Sequence, residues 1–188
     1  SLNYKDALSA SGAPGVTRNY PHIPGIDAVG TISQSIDDNF KEGDTVIVTG
    51  YDLGMNTSGG FGEFIRVPSA WAIKLPSTLT DKESMCLGTA GLTAGLSIQA
   101  LSDFDSIKGF NDSKSIVTGS TGGVGSIALM LLAKLGSQVT AVTGKESQKE
   151  LLLSLGASEI LSREELSEVS RKPMGKPIWD FGVDVVSG

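Results

Sequence analysis

A cluster of glycines between two apolar runs constrains the fold of this chain more than any other feature. Residues 115–126 read SIVTGSTGGVGS, and the apolar stretch IALMLLAKLG follows directly. Gly119, Gly122 and Gly125 recur at every third residue, where a strand would turn into a helix. Glycines at such a turn let backbone N–H groups approach a pyrophosphate, to which the helix N-terminus adds partial positive charge. The loop predicts a dinucleotide site; the alternative is a turn whose glycines serve only close packing of helix on strand.

Strand-like and helix-like segments alternate through the rest of the second half. The predicted strands cover residues 115–119, 138–144, 159–162 and 183–187, and the predicted helices cover residues 123–135, 147–156 and about 163–170. This alternation is typical of βαβ units that form a parallel sheet. Doubly wound sheets usually have about six strands, so this shorter series favours an internal portion of a longer protein.

The first half of the chain is rich in glycine, proline and short β-type runs instead. Strands are predicted at residues 28–33, 44–50, 62–68 and 70–76, separated by turn signals. A long helix is predicted from residue 79 to residue 101, with Thr80 and Glu83 in the positions of a capping box. The sequence thus predicts an α/β protein in two parts, a β-rich domain over residues 1–85 and a nucleotide-binding domain over residues 86–188.

Charge and composition argue against several classes of function. The net charge of −6 lacks the basic excess that a nucleic-acid-binding face requires. No uninterrupted apolar run reaches the roughly 20 residues of a membrane span, so we expect no membrane partner. Because Cys86 is the single cysteine, no internal disulfide can form, and a reducing, cytoplasmic location is expected. One cysteine and one histidine, His22, also supply too few ligands for a catalytic zinc, so no metal is predicted.

The end of the second strand in the nucleotide-binding half indicates which dinucleotide would bind. An NAD site usually has an acidic side chain there, which accepts a hydrogen bond from the ribose 2′-hydroxyl. Here the strand ends in Thr143, Gly144 and Lys145, whose hydroxyl and ammonium groups suit a 2′-phosphate. Arg163 follows the third strand and would reach the same rim, and Lys149 is a weaker candidate. These residues favour NADP(H); the alternative for Lys145 and Lys149 is a solvated helix start.

Several short motifs together resemble one group of enzymes. They are NYKD at residues 3–6, PGIDAVG at 24–30, GTAGLTA at 88–94 and VTGSTGGVGS at 117–126. With these motifs the chain resembles the zinc-free quinone oxidoreductase branch of the medium-chain dehydrogenase/reductase superfamily, in its acrylyl-CoA reductase (YhdH/YhfP-type) group. The resemblance implies a GroES-like catalytic domain followed by a Rossmann domain that binds NADP(H). Where zinc-dependent relatives carry a Gly-His-Glu segment, this chain has Gly25, Ile26 and Asp27.

The resemblance also implies roles for individual residues. Tyr4 and Thr89 would lie near the nicotinamide, and Asn3, Tyr4 and Asp6 would form a polar cluster that assists catalysis. Asp6 and Asp27 are candidates to orient Tyr4 or a water. The other implied cofactor contacts belong to the glycine loop and to the 2′-phosphate pocket: Thr121, Gly122, Gly123, Val124, Gly125, Thr143, Gly144, Lys145 and Arg163. As an alternative, Asn3 and Asp6 would cap a short helix over KDALSA.

The reaction that the resemblance implies is hydride transfer from NADPH to the β-carbon of an activated double bond, with acrylyl-CoA as the leading substrate. Two alternatives stay open: hydride transfer to a quinone, and NADPH binding without turnover. The implied partners are small molecules, an acyl-CoA or a quinone. A homodimer is expected from the resemblance alone.

Overall fold

Three stretches of the chain are described by the computed structural model: residues 1–104, 109–169 and 176–186. The chain divides into two compact units, Ser1–Leu92 and Thr93–Gly188, each with its own sheet. The division falls inside a long helix, and residue 85, after which the sequence predicts a division, lies in the same helix.

The first unit holds a short helix and a three-stranded antiparallel sheet. Helix α1 spans Tyr4–Ala10, and the strands β1 (Asp27–Thr31), β2 (Thr45–Thr49) and β3 (Ala72–Lys74) pair in the order β1-β2-β3. The central strand β2 reads TVIVT, a run of β-branched residues that suits a pleated, half-buried surface. Three of the four strands predicted in this half are therefore confirmed in position.

The remaining strand, predicted at residues 62–68, is wrong, because this segment pairs with no strand in the described part of the chain. The apolar side chain of Phe64 in this segment does not face a core, since 74% of it is exposed. The glycine-rich residues 59–61 just before it donate backbone hydrogen bonds to the carbonyls of residues 23–25. The segment is a loop whose entry is held against the residues that lead into β1.

Helix α2 spans Asp81–Phe104 and is interrupted at Gly88, where φ is 49° and ψ is −151°. Its first turn has the predicted capping box: the Thr80 N–H donates to the Glu83 carboxylate at 2.8 Å, and the Glu83 N–H donates to the Thr80 hydroxyl at 3.2 Å. By length and composition α2 is apolar enough to cross a membrane. This is weak evidence for a span, because a core helix meets the same criterion. The absence of a membrane partner stays a prediction.

The second unit is a four-stranded parallel sheet with helices in its connections. In chain order the elements are β4 (Lys114–Val117), α3 (Gly123–Lys134), β5 (Gln138–Val142), α4 (Lys149–Ser154), β6 (Ala157–Leu161), α5 (Arg163–Val169) and β7 (Phe181–Val183). The strand order is β6-β5-β4-β7, so the winding reverses between β4 and β7. Ligands of such sheets bind beyond the carboxyl ends of the strands at the reversal. The predicted Rossmann-type sheet is confirmed.

Helix α3 buries its apolar face on β4 and β5. Leu129 and Leu132 on the helix and Val117 and Val139 on the strands are fully buried. Each such side chain contributes about 1.5–3 kcal/mol relative to its exposed state. This packing fixes the helix that begins at the glycine loop.

The last strand begins two residues earlier than predicted, since β7 is Phe181–Val183 and not 183–187. Phe181 and Val183 are buried, and they alternate with the exposed Gly182. The Asp184 carboxylate then accepts hydrogen bonds from the Thr118 hydroxyl and, at 3.2 Å, from the Val186 N–H. These bonds turn the backbone away from the ladder. Residue 187 of the predicted strand lies outside the described residues.

Candidate functional site

The glycine loop lies at the carboxyl end of β4, directly before α3. Gly119 has a φ of +58°, and a Cβ built on Gly125 would lie 2.3 Å from the Gly119 carbonyl oxygen. Gly125 is therefore required for close packing of the helix on the loop. Gly122 and Gly123 are exposed at the start of α3. Gly125 thus serves packing, as in the alternative interpretation of the loop, whereas Gly122 and Gly123 are exposed, and their contact with a pyrophosphate stays a prediction.

The side chains of Thr121 and Val124, the other predicted members of the loop, are half-buried. The Gly122 N–H donates to the Gly119 carbonyl at 2.9 Å, which closes the turn. A Cβ on Gly122 would lie 3.3 Å from that carbonyl, so a larger residue would crowd the mouth of the loop. The loop thus fits a pyrophosphate group in its lack of side-chain bulk and in its position at the N-terminus of a twelve-residue helix.

The residues predicted to contact a 2′-phosphate lie together at the carboxyl ends of β5 and β6. The Thr143 N–H donates to the Leu161 carbonyl at 3.1 Å, and this bond joins the two strand ends. A Cβ on Gly144 would contact the Arg163 Nε at 3.4 Å, so the guanidinium group lies beside the Gly144 backbone. The structure therefore brings Thr143, Gly144 and Lys145 together with Arg163. We call these four residues the strand-end cluster.

Within the strand-end cluster the side chains have different surroundings. Thr143 is 6% exposed, and its hydroxyl accepts a hydrogen bond from the Lys145 N–H at 3.0 Å, so it shapes the turn. Lys145 and Arg163 are exposed, and neither forms an ion pair with any residue of the described stretches. Arg163 presents a planar fork of donors that suits a phosphate. The cluster thus combines a fixed turn with two cations whose charges face solvent.

Lys149 has a different partner. Its Nζ lies 2.7 Å from the Glu146 carboxylate, and this pair raises the pKa of Lys149 and lowers the pKa of Glu146. Both side chains are well exposed, so the pair contributes little to stability. The Glu146 carboxylate partly neutralises the positive charge of Lys149. Lys149 therefore offers a 2′-phosphate less free positive charge than Lys145 or Arg163.

In the first unit, Asp6 binds backbone N–H groups through both of its carboxylate oxygens. One oxygen accepts from the Asn3 N–H at 2.8 Å, and the other accepts from the Ile26 N–H at 2.9 Å. Asp6 is 4% exposed. It therefore caps α1, as the alternative interpretation of the NYKD segment predicts, and ties this segment to the residue before β1. Both oxygens of Asp6 are thus bound by backbone N–H groups, and the buried residue holds the NYKD segment in place.

Asp27, the first residue of β1, is a second buried carboxylate, with 2% of its surface exposed. It accepts hydrogen bonds from the Thr89 N–H at 3.0 Å, the Thr89 hydroxyl at 2.7 Å and the Asn3 Nδ2 at 2.7 Å. The Ser1 hydroxyl also donates to it. Burial by itself would raise the pKa of Asp27, but the hydrogen bonds from Ser1, Thr89 and Asn3 outweigh burial and lower it. Asp27 therefore remains ionised at neutral pH.

Gly88 makes this arrangement possible. A Cβ at Gly88 would lie 2.5 Å from the Asp27 carboxylate, and its backbone angles belong to a region that only glycine adopts readily. The interruption frees the Thr89 N–H from the helical ladder, and Asp27 accepts it. The network of Asp27, Asn3 and Thr89 was not predicted as a unit. The signal was a glycine inside a predicted helix, in the GTAG motif.

Tyr4 stands apart from its buried neighbours, since 80% of its surface is exposed. Its hydroxyl has no hydrogen-bond partner among residues 1–104, 109–169 and 176–186. Of the three predicted catalytic residues, Tyr4 alone carries an O–H group, and no residue in the described stretches engages it. His22, by contrast, is engaged: its Nε2 lies 2.7 Å from the Ser9 hydroxyl and 3.1 Å from the Gly54 carbonyl.

Comparisons with known proteins agree with this architecture. Residues 1–77 match the alcohol dehydrogenase GroES-like domain. The chain is 42% identical to acrylyl-CoA reductase AcuI of Ruegeria pomeroyi over 188 residues, which make up 100% of this chain and 56% of that protein.

Two solved structures are similar over the whole chain. The yhdH oxidoreductase from Salmonella enterica, in complex with NADP, is 45% identical with a TM-score of 0.92, and the match covers 100% of this chain and 57% of that one. Bacillus subtilis protein yhfP, with NAD bound, is 43% identical with a TM-score of 0.90, and the match covers 100% of this chain and 56% of that one. This chain therefore spans little more than half the length of its relatives. With its GroES-like match and its parallel sheet, it belongs to the medium-chain dehydrogenase/reductase superfamily, in the group of the acrylyl-CoA reductases and YhdH/YhfP-type quinone oxidoreductases.

Proposed function

We propose that this chain binds NADPH and acts in the reduction of an activated carbon–carbon double bond, with an acrylyl-CoA-like thioester as the substrate class. The observation that carries the proposal is the strand-end cluster, where Lys145 and Arg163 flank Gly144 beside a glycine loop of pyrophosphate-binding form. The relatives named above support it, since one is an acrylyl-CoA reductase and another was solved with NADP.

The residues that would hold the cofactor are those of the loop and of the strand-end cluster. Gly122 and Gly123 would receive the pyrophosphate at the N-terminus of α3, and Gly125 would keep the helix close. Lys145 and Arg163 would bind the 2′-phosphate, with the fork of Arg163 giving the stronger contact. Thr143 would fix the turn through its bond to the Lys145 N–H.

Near the reacting atoms, the three polar residues of the NYKD segment would act differently from one another. When bound, NADPH would supply the hydride to the β-carbon, and a proton must then reach the α-carbon. Tyr4 is the candidate donor of that proton or of a hydrogen bond to the thioester oxygen, because its side chain is exposed and its O–H group has no partner among the residues that the structure describes. Asp6 would hold the segment in place.

Two measurements test the proposal, on protein whose intact mass has been verified. The first is a fluorescence titration with NADPH and, for comparison, NADH. The second is NADPH oxidation with acrylyl-CoA, beside a quinone as a second acceptor. Oxidation with acrylyl-CoA supports the proposed reductase, whereas oxidation with the quinone alone supports the quinone alternative. Binding without oxidation by either acceptor supports the NADPH-binding alternative, and a chain that binds neither dinucleotide contradicts the proposal.

The cytoplasmic location and the homodimer are further proposals. A free, exposed Cys86 suits a reducing compartment. Light scattering on the purified protein would give its mass in solution, and a monomer across the micromolar range would contradict the dimer.

A further inference from the structure

We propose that Asp27 is a positioning residue of this site, which acts through Asn3. The inference deepens the proposed function and rests on it. The sequence predicts Asp27 as a residue that orients Tyr4 or a water; in the structure it is buried and instead accepts hydrogen bonds from Asn3 and Thr89, in two of the segments predicted to line the nicotinamide end of the site. Both segments, NYKD and GTAG, therefore depend on one carboxylate for their placement.

The charge of Asp27 decides how the amide of Asn3 is oriented. The Asn3 Nδ2 donates to the Asp27 Oδ2 at 2.7 Å and to the Ser1 Oγ at 3.2 Å. A carboxylate can only accept hydrogen bonds, so an amide turned the other way would set its oxygen against an anion. Both N–H groups of the Asn3 side-chain amide are thus used in hydrogen bonds to Asp27 and Ser1. Toward a ligand, Asn3 can act only as an acceptor through Oδ1, and it cannot donate a hydrogen bond to a developing enolate.

Asp27 also forms hydrogen bonds to a residue of α2. Its Oδ1 accepts from the Thr89 N–H at 3.0 Å and from the Thr89 hydroxyl at 2.7 Å. Because Gly88 has no Cβ, the carboxylate can approach the interruption in α2 within contact distance. Asp27 therefore joins residues that are 24 and 62 positions away from it in the sequence.

The donors to Asp27 explain why asparagine is not an equivalent residue at this position. Thr89, Asn3 and Ser1 all direct hydrogen atoms at its two oxygens. In Asp27→Asn, the new NH2 group would face one of these donors, and either Thr89 or Asn3 would lose its acceptor. An Asn3 amide released in this way would be free to turn over. The variant would then present the wrong polar atom to the ligand although the fold is kept.

A double-mutant cycle distinguishes positioning from a purely structural role. The variants are Asp27→Asn, Asn3→Ala and the double substitution, with Asp44→Asn as a matched control. Asp44 is a carboxylate of the same unit, and it pairs with Lys74 outside the site at 2.8 Å. The kcat, the KM and the Kd for NADPH are measured well below each variant's Tm, so that every variant is folded.

We expect Asp27→Asn and Asn3→Ala each to lower kcat/KM by about ten-fold or more, and the double variant to lose clearly less than the product of the two single losses. Asp44→Asn should leave kcat/KM unchanged. Losses that multiply in the double variant would overturn the proposal, because Asp27 would then act independently of Asn3.

The same cycle remains informative where the proposed function fails. If the wild-type chain binds NADPH without oxidising it, the reductase proposal is overturned, and the coupling of Asp27 to Asn3 is decided from the Kd values for NADPH. Additive effects on Kd would then overturn the positioning role. A wild-type chain that neither binds nor oxidises NADPH would overturn both.

Discussion

The guanidinium group of Arg163 lies against Gly144, close enough that a Cβ on the glycine would contact the Arg163 Nε at 3.4 Å. Gly144 follows β5, and Arg163 is the first residue of α5, which begins two positions after β6 ends. Two neighbouring strands therefore deliver a fixed turn and a cation to the same edge of the sheet. This relationship carries the proposed choice of NADPH over NADH.

We expect Arg163→Gln to raise the Kd for NADPH by about ten-fold while the Kd for NADH changes little, because only NADPH carries the 2′-phosphate. Lys145→Gln should act in the same direction with a smaller effect, since Lys lacks the bidentate fork. Fluorescence titrations with both dinucleotides measure these changes. Lys149→Gln is the matched control and should have less effect, because Lys149 already pairs with Glu146. Equal losses for NADPH and NADH would contradict the assignment.

Tyr4→Phe removes one oxygen from an exposed side chain that has no described partner. We expect kcat with acrylyl-CoA to fall by about 100-fold, because general acid catalysis contributes about that much or more. The Kd for NADPH should stay within about two-fold, since the aromatic ring remains. Steady-state kinetics and the fluorescence titration measure the two effects. Tyr51→Phe serves as the control: it removes a hydroxyl elsewhere in the unit, from a side chain that is 65% exposed and that donates only a long hydrogen bond to the Ala70 carbonyl at 3.3 Å. An unchanged kcat in Tyr4→Phe would remove Tyr4 from the list of proton donors.

Gly88→Ala should destabilise the protein by roughly 2–4 kcal/mol. The substitution forces a Cβ to within 2.5 Å of the Asp27 carboxylate and places alanine at a backbone conformation that it resists. Gly95→Ala in the same helix is the control, because its Cβ would meet nothing within 4 Å. It should leave the stability unchanged or raise it by up to about 1 kcal/mol. Urea unfolding of the two variants gives the comparison, and equal midpoints would show that the interruption at Gly88 is not required.

The stability of the protein should depend on the ionisation of Asp27 in acid. Since the folded-state pKa of Asp27 lies below its ordinary value of 3.8, its contribution is fully present above that value. The contribution is lost as the pH falls through the lowered folded-state pKa. Urea midpoints of the wild type and of Asp27→Asn should therefore converge as the pH drops below about 3.8. Other carboxylates with lowered pKa values, such as Asp44, change both proteins alike. A constant difference between the two proteins over the whole range would contradict this prediction.

The parts of the fold that could be predicted depend on short-range patterns. The glycine loop, the apolar run of α3 and the capping box of Thr80 and Glu83 each lie within a few residues, and all were confirmed. The alternating pattern at residues 62–68 is equally local, but the strand that it predicts is wrong. Whether an alternating run forms a strand depends on a partner strand and a core, and neither faces Phe64.

The same distinction between local pattern and tertiary contact applies to the residues of the candidate site. The sequence by itself determined which residue types are present: cations after β5 and β6, a tyrosine in NYKD and a glycine in GTAG. Their roles were decided by tertiary structure, since Asp6 and Tyr4 are neighbours in one short motif and yet one is 4% and the other 80% exposed. Asp27 meets Thr89 across 62 residues of chain and Asn3 across 24, and the interruption of α2 at Gly88 permits the first of these contacts. Hydrogen bonds between distant segments form only after the chain has folded, so no local pattern in the sequence specifies them.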